Sequence, residues 1–385
     1  MNQAPTGCVT DTLQCEVVSS FEALEALEPE WNSLLDRTGQ HSIFLQYEWM
    51  SSWWSVFATD RHTLSVLLIR TSPMHGNKLV GIAPFQLIKS IKPVDPKLCF
   101  VGAGEPKDSE VVSEYLDLFA LPEFESAVVK LVSDWIGNNP AWSSFECRDF
   151  AESALIYQVV HQLNTTYPGR LRKERWSFGI PLRTDTKLLD RLTPSRRKRL
   201  ERTIRAIERE GELVRAEAHS ADTLARHFSI LKDLHKERWN SQGKNSIFDD
   251  DRFTQFHEQV LDKLYPQGLA NITVFSMGDK PVAALYLYFS DSTVYYYQSG
   301  FKTKNANRFM PLSNAHRIEI EQQALLGRTQ YDFMRGEDDS YKAEFGCDKI
   351  QLYYARVHRH KGHFVAVNIK DQLRRSVGRL LQLFS

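Results

Sequence analysis

Apolar residues recur along the chain at two spacings, one typical of helices and one typical of strands. Residues 21–38 and 44–57 carry an apolar residue every three or four positions, which predicts two packing helices. Residues 63–71 and 78–89 are apolar runs joined by the polar segment SPMHGN, and they predict a β-hairpin. The first half of the chain is therefore expected to combine helices with an antiparallel sheet.

The second half has a similar order of predicted elements, with helices first and three consecutive strands after them. These helices and strands are predicted at 221–238, 251–264, 271–277, 282–290 and 293–299. The remaining predicted elements are a helix at 311–326, a strand at 330–334, a helix at 340–345 and a strand at 350–357. The shared order suggests that the chain is built from two related halves.

Two stretches of sequence support this internal duplication. The hairpin segments of the two halves can be matched, and SFECRDFAESA aligns with YDFMRGEDDSY when Arg148 is set against Arg335. The identity is low, so the alignment indicates a structural repeat only. It places Ala154 opposite Tyr341, so a tyrosine hydroxyl is available for chemistry at this position in the second half alone.

The composition is that of a globular protein with a large core. Of the 385 residues, 42% are hydrophobic and 25% are charged, and this length is typical of two or three domains. Lys+Arg and Asp+Glu balance at 48 each, so no overall positive charge points to nucleic acid. Electrostatic steering has to come from local patches.

Cysteine usage and the absence of apolar segments bear on the compartment. The five cysteines are scattered without CxxC spacing, which indicates neither a disulfide framework nor a zinc site and favours a reducing compartment. The first residues lack a signal-peptide pattern, and no run of eighteen apolar residues occurs. We therefore expect a cytoplasmic protein with a loose tail at residues 1–14.

The most basic segment lies between the two halves. Pro194 suits the first position of a helix, which is predicted at 194–210. Six cations crowd its first half: Arg196, Arg197, Lys198, Arg199, Arg202 and Arg205. Guanidinium groups bind phosphate bidentately, so this helix is predicted to bind anions. The alternative is a solvated helix with internal pairs such as Glu201 with Arg205.

A second basic pattern occupies residues 367–384. Ile369 and Leu373 share one face of the predicted helix, and Lys370 and Arg374 lie on the other. Such an amphipathic helix can lie on an anionic membrane surface. Docking onto its own domain is the alternative.

Residues 331–346, YDFMRGEDDSYKAEFG, begin as an apolar strand and end in a cluster of charged residues with a phenol. The pattern Asp-Phe-x-x-Gly-x-x-x-x-Tyr-Lys, together with LHKERW, YEWMSSWWSVF and SEYLDLF, resembles the Gcn5-related N-acetyltransferase (GNAT) proteins of the CelD/BcsL type. That type is associated with cellulose and exopolysaccharide synthesis and is similar to the FemAB-like peptidoglycan aminoacyltransferases, which have tandem GNAT modules. The likeness spans nearly the whole chain.

The resemblance implies an α/β (α+β) chain with two tandem GNAT-like domains, each a mixed, mostly antiparallel sheet flanked by helices. A degenerate domain would occupy residues 15–180, and the acyltransferase domain would occupy residues 181–385. The implied reaction moves an acyl group, usually acetyl, from acyl-CoA to an amine without a metal. Two neighbouring strands of the second domain would part to form a slot for the acyl group beside Tyr341.

The resemblance also implies roles for residues of the motif. Tyr341 would protonate the leaving thiolate, and Asp332 or Glu337 would take the proton of the acceptor amine. Arg335 and Lys342 would hold an anionic substrate. The alternatives are that Tyr341 is a packing residue and that Asp332 is a structural carboxylate.

The donor would bind where the loop after strand 293–299 meets the next helix. The candidate donor contacts in this loop are Lys302, Lys304, Asn307, Arg308 and Ser313. The loop lacks the glycines of the GNAT pattern, so a tRNA-linked donor remains an alternative to acyl-CoA. The candidate acceptor contacts outside the motif are Arg196, Arg199, His235, Arg238 and Tyr297. A lone helical histidine such as His235 is also a common packing residue.

Three functions remain open. The leading hypothesis is an N-acyltransferase acting on an amino group of a small or lipid-linked sugar or polysaccharide precursor in exopolysaccharide or cellulose synthesis, in contact with a synthesis complex or the inner membrane surface. The second is FemAB-like transfer from aminoacyl-tRNA, the only nucleic acid expected to bind. The third is an inactive GNAT-shaped accessory protein. The sequence has no GxSxG, HExxH, Walker or dinucleotide motif that would support another class of enzyme.

Overall fold

The computed structural model describes residues 13–40, 42–89, 95–366 and 369. Its strands are β1 Leu13–Val18, β2 His62–Thr71, β3 Leu79–Ile88, β4 Lys97–Phe100, β5 Phe119–Ala120, β6 Ser144–Ala151, β7 Gly169–Pro181, β8 Leu213–Glu217, β9 Ala270–Met277, β10 Lys280–Phe289, β11 Thr293–Phe301, β12 Gln330–Gly336 and β13 Asp348–His358.

The α-helices flank these strands. They are α1 Phe21–Glu25, α2 Glu28–Arg37, α3 Tyr47–Phe57, α4 Glu125–Asn138, α5 Leu155–Asn164, α6 Leu188–Arg191, α7 Pro194–Glu208, α8 Ala221–Asn240, α9 Asp251–Leu264, α10 Ala306–Phe309 and α11 Pro311–Leu325. A 3₁₀ helix, Tyr341–Phe345, follows β12.

The strands of the described residues form one continuous sheet in the order β1-β2-β3-β4-β6-β13-β7-β12-β11-β10-β9-β8, with β5 beside β3. All neighbours are antiparallel except β4 with β6 and β11 with β12. This architecture confirms the predicted fold class, a mixed and mostly antiparallel sheet flanked by helices. The two parallel contacts occupy equivalent places in the two halves.

Strands from the two halves alternate at the centre of the sheet. β7, from the end of the first half, lies between β13 and β12, and β13 pairs with both β6 and β7. The predicted boundary at 180/181 therefore falls at the end of a strand that belongs to the second half's sheet. Residues 1–12 lie outside the described residues, and Leu13 and Gln14 of the predicted tail belong to β1.

The internal duplication is visible as two equivalent bulges. β6 and β12 each contain one extra residue opposite the neighbouring strand, and the bulged residues Asp149 and Met334 have φ values of 55° and 62°. Matching these bulges shifts the alignment of Arg148 with Arg335 by two residues, so that part of the sequence alignment was wrong. The next helices start at Leu155 and at Tyr341, so an apolar residue still stands opposite the phenol.

Aromatic side chains join the two halves into one packed body. Trp49 of α3 is fully buried, and its ring lies 4.8 Å from Phe256 of α9 and 5.5 Å from Tyr288 of β10. Phe44 contacts Tyr295 of β11 at 6.0 Å. Large aromatic rings dominate such interfaces because each removes a large apolar area from water. The aromatic run of the first half is thus a docking element for the second.

The close approach of α8 to β11 depends on Gly300. A Cβ added at this glycine would lie 2.5 Å from the backbone nitrogen of His235. We expect Gly300→Ala to reduce the free energy of unfolding by about 1–3 kcal/mol, because inserted carbon atoms force packed elements apart. Thermal unfolding measures this, with Gly362→Ala as the control, because Gly362 has open space around it. Equal melting temperatures for the two variants would contradict the prediction.

The predicted helix at 367–384 falls almost entirely outside the described residues. Residues 361–366, immediately before it, are helical. In the part of the chain that the structure describes, no helix has both the length and the apolar character needed to cross a bilayer.

Candidate active site

The two central strands of the second half separate after three residue pairs. β11 and β12 pair only from Thr293 with Gln330 to Tyr295 with Asp332, although β11 continues to Phe301 and β12 to Gly336. A bulge at Tyr297, opposite Tyr286 and Leu287, turns β11 away at this point. The predicted slot between the strands is confirmed, and it leaves backbone groups of β11 without a strand partner.

The slot opens into a cleft of about 1050 Å³ between the two halves. One wall comes from the second half, at the C-terminal end of α8 and the loop that follows it. The other wall comes from the loop between β4 and β5, which contributes Glu110 and Glu114. Lys342, Tyr297 and Gln298 lie at its base. Clefts of this size between domains are common small-molecule sites.

Tyr341 stands at the opening of the slot. The residue is 36% exposed as a whole, and its hydroxyl lies 3.2 Å from that of Tyr296, which in turn lies 2.6 Å from Oγ of Ser299. The hydroxyl end is the enclosed part of the residue, and its burial beside Tyr296 holds the pKa of Tyr341 well above its usual value. The phenol therefore stays protonated at neutral pH and can donate a proton.

Glu114 is a functional candidate that sequence reasoning did not single out, although it lies in the quoted motif SEYLDLF. It is 1% exposed, and its oxygens accept the backbone N–H of Arg335 at 2.8 and 3.0 Å. Burial raises the pKa of Glu114 to about 8, although Arg335 acts in the opposite direction. A carboxylate with such a pKa can take up a proton near neutral pH.

The backbone around Glu114 is strained. Val112 and Tyr115 have φ values of 49° and 55°, which are outliers for a β-branched and a bulky residue. Strain of this kind persists where surrounding structure over-determines the position, and it clusters at functional sites. The loop therefore holds Glu114 in the cleft against its own local preference.

Lys342 faces Glu114 from the second half. Its Nζ donates to the carbonyl oxygen of Arg335 at 2.6 Å, and the side chain lines the cleft. Burial lowers the pKa of Lys342, although Glu114 and Asp332 raise it. Lys342 is therefore positioned for the predicted contact with a substrate.

Arg335 is committed to carboxylates of the first half. Its guanidinium pairs with Glu110 at 2.8 Å and also with Asp149, and its Nε lies 3.7 Å from Glu114. Arg335 lies on the wall of the cleft. Because its guanidinium already pairs with these carboxylates, it bridges the two halves and is not a free ligand for an anion.

The two carboxylates predicted as bases occupy other environments. Asp332 is partly buried and accepts hydrogen bonds from Tyr115 at 2.7 Å, from Ser177 at 3.2 Å and from the Met334 amide at 2.6 Å. Burial raises its pKa. The Glu337 side chain is 68% exposed and pairs with Arg175 at 3.2 Å. Neither carboxylate lines the cleft, because one is held inside the domain interface and the other points to solvent.

His235 lies in the wall of the cleft as a fully bonded residue. Its Nδ1 lies 2.8 Å from Oγ of Ser246, and its Nε2 accepts from Trp239 at 2.8 Å. Burial and Arg238 lower the pKa of His235 to about 3, so the imidazole is neutral. Both ring nitrogens already have partners in the protein, so His235 is better described as a packing residue than as a substrate contact.

Arg238 follows on the same helix and has a different environment. Its guanidinium stacks 4.9 Å from the ring of Phe301, and its buried Nε has no hydrogen-bond partner among the described residues. Its charge also lowers the pKa of Tyr341, against the larger effect of burial. Arg238 is therefore available for the predicted contact with an anionic group near the phenol.

Tyr297 lines the cleft through its ring. Its hydroxyl donates to the Val111 carbonyl oxygen at 2.5 Å and lies 3.0 Å from Nε2 of His257. His257 is fully buried, and burial lowers its pKa to about 3. The Tyr297 hydroxyl thus anchors the strained loop of the first half, and only its ring faces a ligand.

The predicted donor loop is partly neutralised by the chain itself. Lys302 pairs with Glu237 at 2.5 Å, and Arg308 pairs with Glu210. Lys304 and Asn307 are exposed, and neither has an ion pair or side-chain hydrogen bond among the described residues. Lys304 is consequently the cation of this loop that can face a donor phosphate.

The helix that follows this loop offers backbone donors. α11 begins at Pro311, which has no N–H, so the free amides of its first turn are those of Leu312 and Ser313. Helix N-termini of this kind bind phosphate. With Lys304 beside them, the residues present fit a phosphate-bearing donor through fewer backbone contacts than a glycine-rich loop gives.

The basic helix α7 lies beside this donor region. Arg196 pairs with Glu344 of the 3₁₀ helix that carries Tyr341, and Arg197 pairs with Asp190 at 3.3 Å and with Glu201 at 3.1 Å. Arg199 is exposed and has no ion pair among the described residues. Arg199 and the exposed cations that follow it could therefore bind an anion, as predicted for this helix.

Among the residues that the structure describes, no group of three or more His, Cys, Asp and Glu side chains could hold a metal ion.

Comparisons with known proteins now bear on this geometry. Residues 194–343 match the family model described as the acetyltransferase (GNAT) domain. Among solved structures, one titled as FemX superposes with a TM-score of 0.56 at 11% identity, covering 85% of this chain and 95% of that one. L-PGS from Bacillus licheniformis superposes with a TM-score of 0.50 at 13% identity, covering 94% and 97%. No curated protein sequence matches the chain significantly.

The splayed strands and the sequence match together define the class of this protein. The chain is an acyltransferase that contains a GNAT acetyltransferase domain, and the match spans α7, the donor loop and the motif up to Tyr341. The GNAT domain implies an acyl-CoA donor, which supplies an activated thioester. The likeness to FemX and L-PGS shows a shared fold over nearly the full length of both halves.

Proposed function

We propose that this chain transfers an acyl group from acyl-CoA to an amino group of a sugar or polysaccharide precursor. The observation that carries the proposal is the slot between β11 and β12: Tyr341 contacts Tyr296 of β11 beside the slot, and the next residue, Lys342, lines the cleft. Glu114 and Lys342 face the same cleft. The acyl group would enter through the slot, and the amine would enter through the cleft.

Glu114 and Tyr341 can carry the proton transfers of the reaction. Glu114 takes the first proton of the acceptor ammonium, and the freed amine forms the new C–N bond to the thioester carbon. Tyr341 donates its proton to the sulfur as the C–S bond breaks, and Tyr296 can donate a hydrogen bond to the resulting phenolate, since the two oxygens lie 3.2 Å apart. The second proton that the nitrogen loses, as the amide forms, returns to that phenolate.

Two features support a sugar-type acceptor in exopolysaccharide or cellulose synthesis. The cleft is lined by many polar side chains and has a volume of about 1050 Å³, well beyond the need of a single amine. The motif from Asp332 to Lys342 resembles the CelD/BcsL type, which is associated with those polymers. An acceptor with several hydroxyl groups suits such a lining.

A thiol-release assay with acetyl-CoA and a panel of amino sugars tests the function. Tyr341→Phe should slow turnover by about 100-fold, within the usual range for loss of an acid catalyst, and should not change the melting temperature. Tyr353→Phe is the matched control, because that hydroxyl contacts Glu152 away from the cleft. Unchanged turnover in Tyr341→Phe would remove Tyr341 from the mechanism. No thiol release with any acceptor would favour the inactive accessory protein.

Transfer of an aminoacyl group from tRNA is the second candidate. It is favoured by the donor loop without glycines and by the exposed cations of α7, Lys198, Arg199, Arg202 and Arg205. The fold shared with FemX and L-PGS is compatible with it. Aminoacyl-tRNA should then be consumed, and its binding should weaken steeply as salt rises, because each phosphate contact releases counterions. Binding that is independent of salt would count against this candidate.

A further inference from the structure

The first half contains its own pair of parted strands, and a separate cavity lies there. β4 and β6 pair only through Lys97 with Ser144 and Leu98 with Phe145, which is the same arrangement as β11 with β12. The cavity has a volume of about 330 Å³, at the lower end of the range for small-molecule sites. Nothing in the proposed chemistry uses it.

Four cationic and four acidic side chains line this cavity, and three cations act on one of the acids, Glu146. Glu146 is held by two arginines, with Arg148 on one oxygen at 2.6 Å and Arg356 on the other at 2.5 Å. Burial alone would raise the pKa of Glu146, but Lys97, Arg356 and Arg148 together lower it to about 2. Both oxygens are occupied, and Lys97 has no ion-pair partner among the described residues. Three cations therefore share the single carboxylate of Glu146, and Lys97 adds positive charge to this part of the cavity wall.

The loop after β4 adds backbone donors to the same wall. Gly102 and Gly104 have φ values of 92° and 104°, in the region that favours glycine. The amides of Gly102, Ala103 and Gly104 have no acceptor among the described residues. A Cβ at Gly104 would lie 2.5 Å from Cδ1 of Ile88, so the loop is fitted closely to its support. Consecutive free amides in such a loop form a concave surface that attracts anions.

One buried acceptor completes the wall. Asp149 is 1% exposed, and its Oδ1 has no hydrogen-bond partner among the described residues, while its other oxygen pairs with Arg335. A buried oxygen without a donor is unfavourable, so a ligand hydroxyl would stabilise it. The cavity thus offers cationic and N–H groups for an anion and one oxygen for a hydroxyl group.

We propose that this cavity binds a small hydroxylated anion of the sugar phosphate class. Lys97 and the Gly102–Gly104 amides hold the phosphate, and Asp149 accepts from a hydroxyl group. The cavity and the reaction cleft share Lys107, Glu110 and Arg335 in their walls. The anion can therefore be either a distal group of the acceptor itself or a separate ligand bound next to the acceptor.

Calorimetric titration of the full chain tests the site without reference to catalysis. Glucose 6-phosphate should bind, and glucose and inorganic phosphate should each bind at least tenfold more weakly. Lys97→Ala should weaken binding of glucose 6-phosphate by at least tenfold. Lys89→Ala should not, because Lys89 is an exposed lysine of the neighbouring strand end that does not line this cavity. No binding of the sugar phosphate to the wild type, or equal binding by both variants, would overturn the proposal.

Kinetics then distinguish the two sources of the anion. If it belongs to the acceptor, glucosamine 6-phosphate should have a lower KM than glucosamine, and Lys97→Ala should abolish the difference with kcat unchanged. If it is a separate ligand, KM should be equal for the two amines while glucose 6-phosphate still binds. Either result supports the site, and failure of the titration remains separate from failure of the proposed acyl transfer.

Discussion

Arg335→Met is expected to reduce the free energy of unfolding by about 3–5 kcal/mol, the range for breaking a buried ion pair by removing one partner. The substitution removes the guanidinium that pairs with Glu110, Glu114 and Asp149. Glu114 and Asp149 are each 1% exposed, so two carboxylates would be left buried without their cation. Chemical denaturation at pH 8 measures the loss, and Arg335→Lys should recover only part of it because Lys lacks the forked geometry.

The dependence of this loss on pH has a definite sign. Arg335 lowers the folded-state pKa of Glu114 against the larger effect of burial, so removing the guanidinium raises that pKa further above its value in the unfolded chain. Stability relative to wild type is then best at acidic pH and falls as pH rises through the folded-state value. Arg148→Met is the matched control, because Arg356 still holds Glu146 and Arg148 is 45% exposed. A loss that is equal at pH 5 and pH 9, or equal in the control, would contradict the prediction.

Much of the second half could be predicted from its pattern. The helix α9 begins and ends at the predicted residues, and β11, β12 and α11 begin where expected. Each of these helices and strands buries an apolar face in the core, so the spacing of its apolar residues indicates directly whether it is a helix or a strand. β7 was missed because none of its first eight residues, GRLRKERW, is fully buried. It is held by neighbours on both sides and by stacking of Arg172 4.6 Å from the ring of Tyr354, which no apolar pattern reveals.

The site was only partly predictable, because it is assembled across the two halves. Tyr341 and Lys342 stand out in the motif. Lys342 lines the cleft, and Tyr341 contacts Tyr296 of β11 beside the slot. Glu114 meets Arg335 across 221 positions of sequence, so neither residue indicates the other. The motif also could not show that the Asp332 carboxylate accepts a hydrogen bond from Tyr115 of the first half. A signal was present in SEYLDLF, where two acids, Glu114 and Asp117, stand among apolar residues.

Glu114→Gln is expected to lower kcat/KM by about 100-fold at pH 9, in the range for loss of a general base. The introduced amide would keep an oxygen for the backbone N–H of Arg335, so the loop should keep its place. Because the pKa of Glu114 is about 8, most of this group is protonated and inactive in the wild type at pH 6. The ratio of wild-type to variant rates should therefore rise from a small value at pH 6 to its maximum above pH 8. A pH series of the thiol-release assay measures this ratio.

Stability provides an independent check on the same carboxylate. The folded-state pKa of Glu114 is raised, so its contribution to stability is present at acidic pH and is lost as pH rises towards 8. Glu114→Gln lacks this titration, so its stability relative to wild type should improve between pH 5 and pH 9. Asp332→Asn is the control, because that carboxylate is bonded inside the interface and does not line the cleft. If Asp332→Asn removes the pH dependence of the rate and Glu114→Gln does not, Asp332 is the base and the cleft has been assigned the wrong carboxylate.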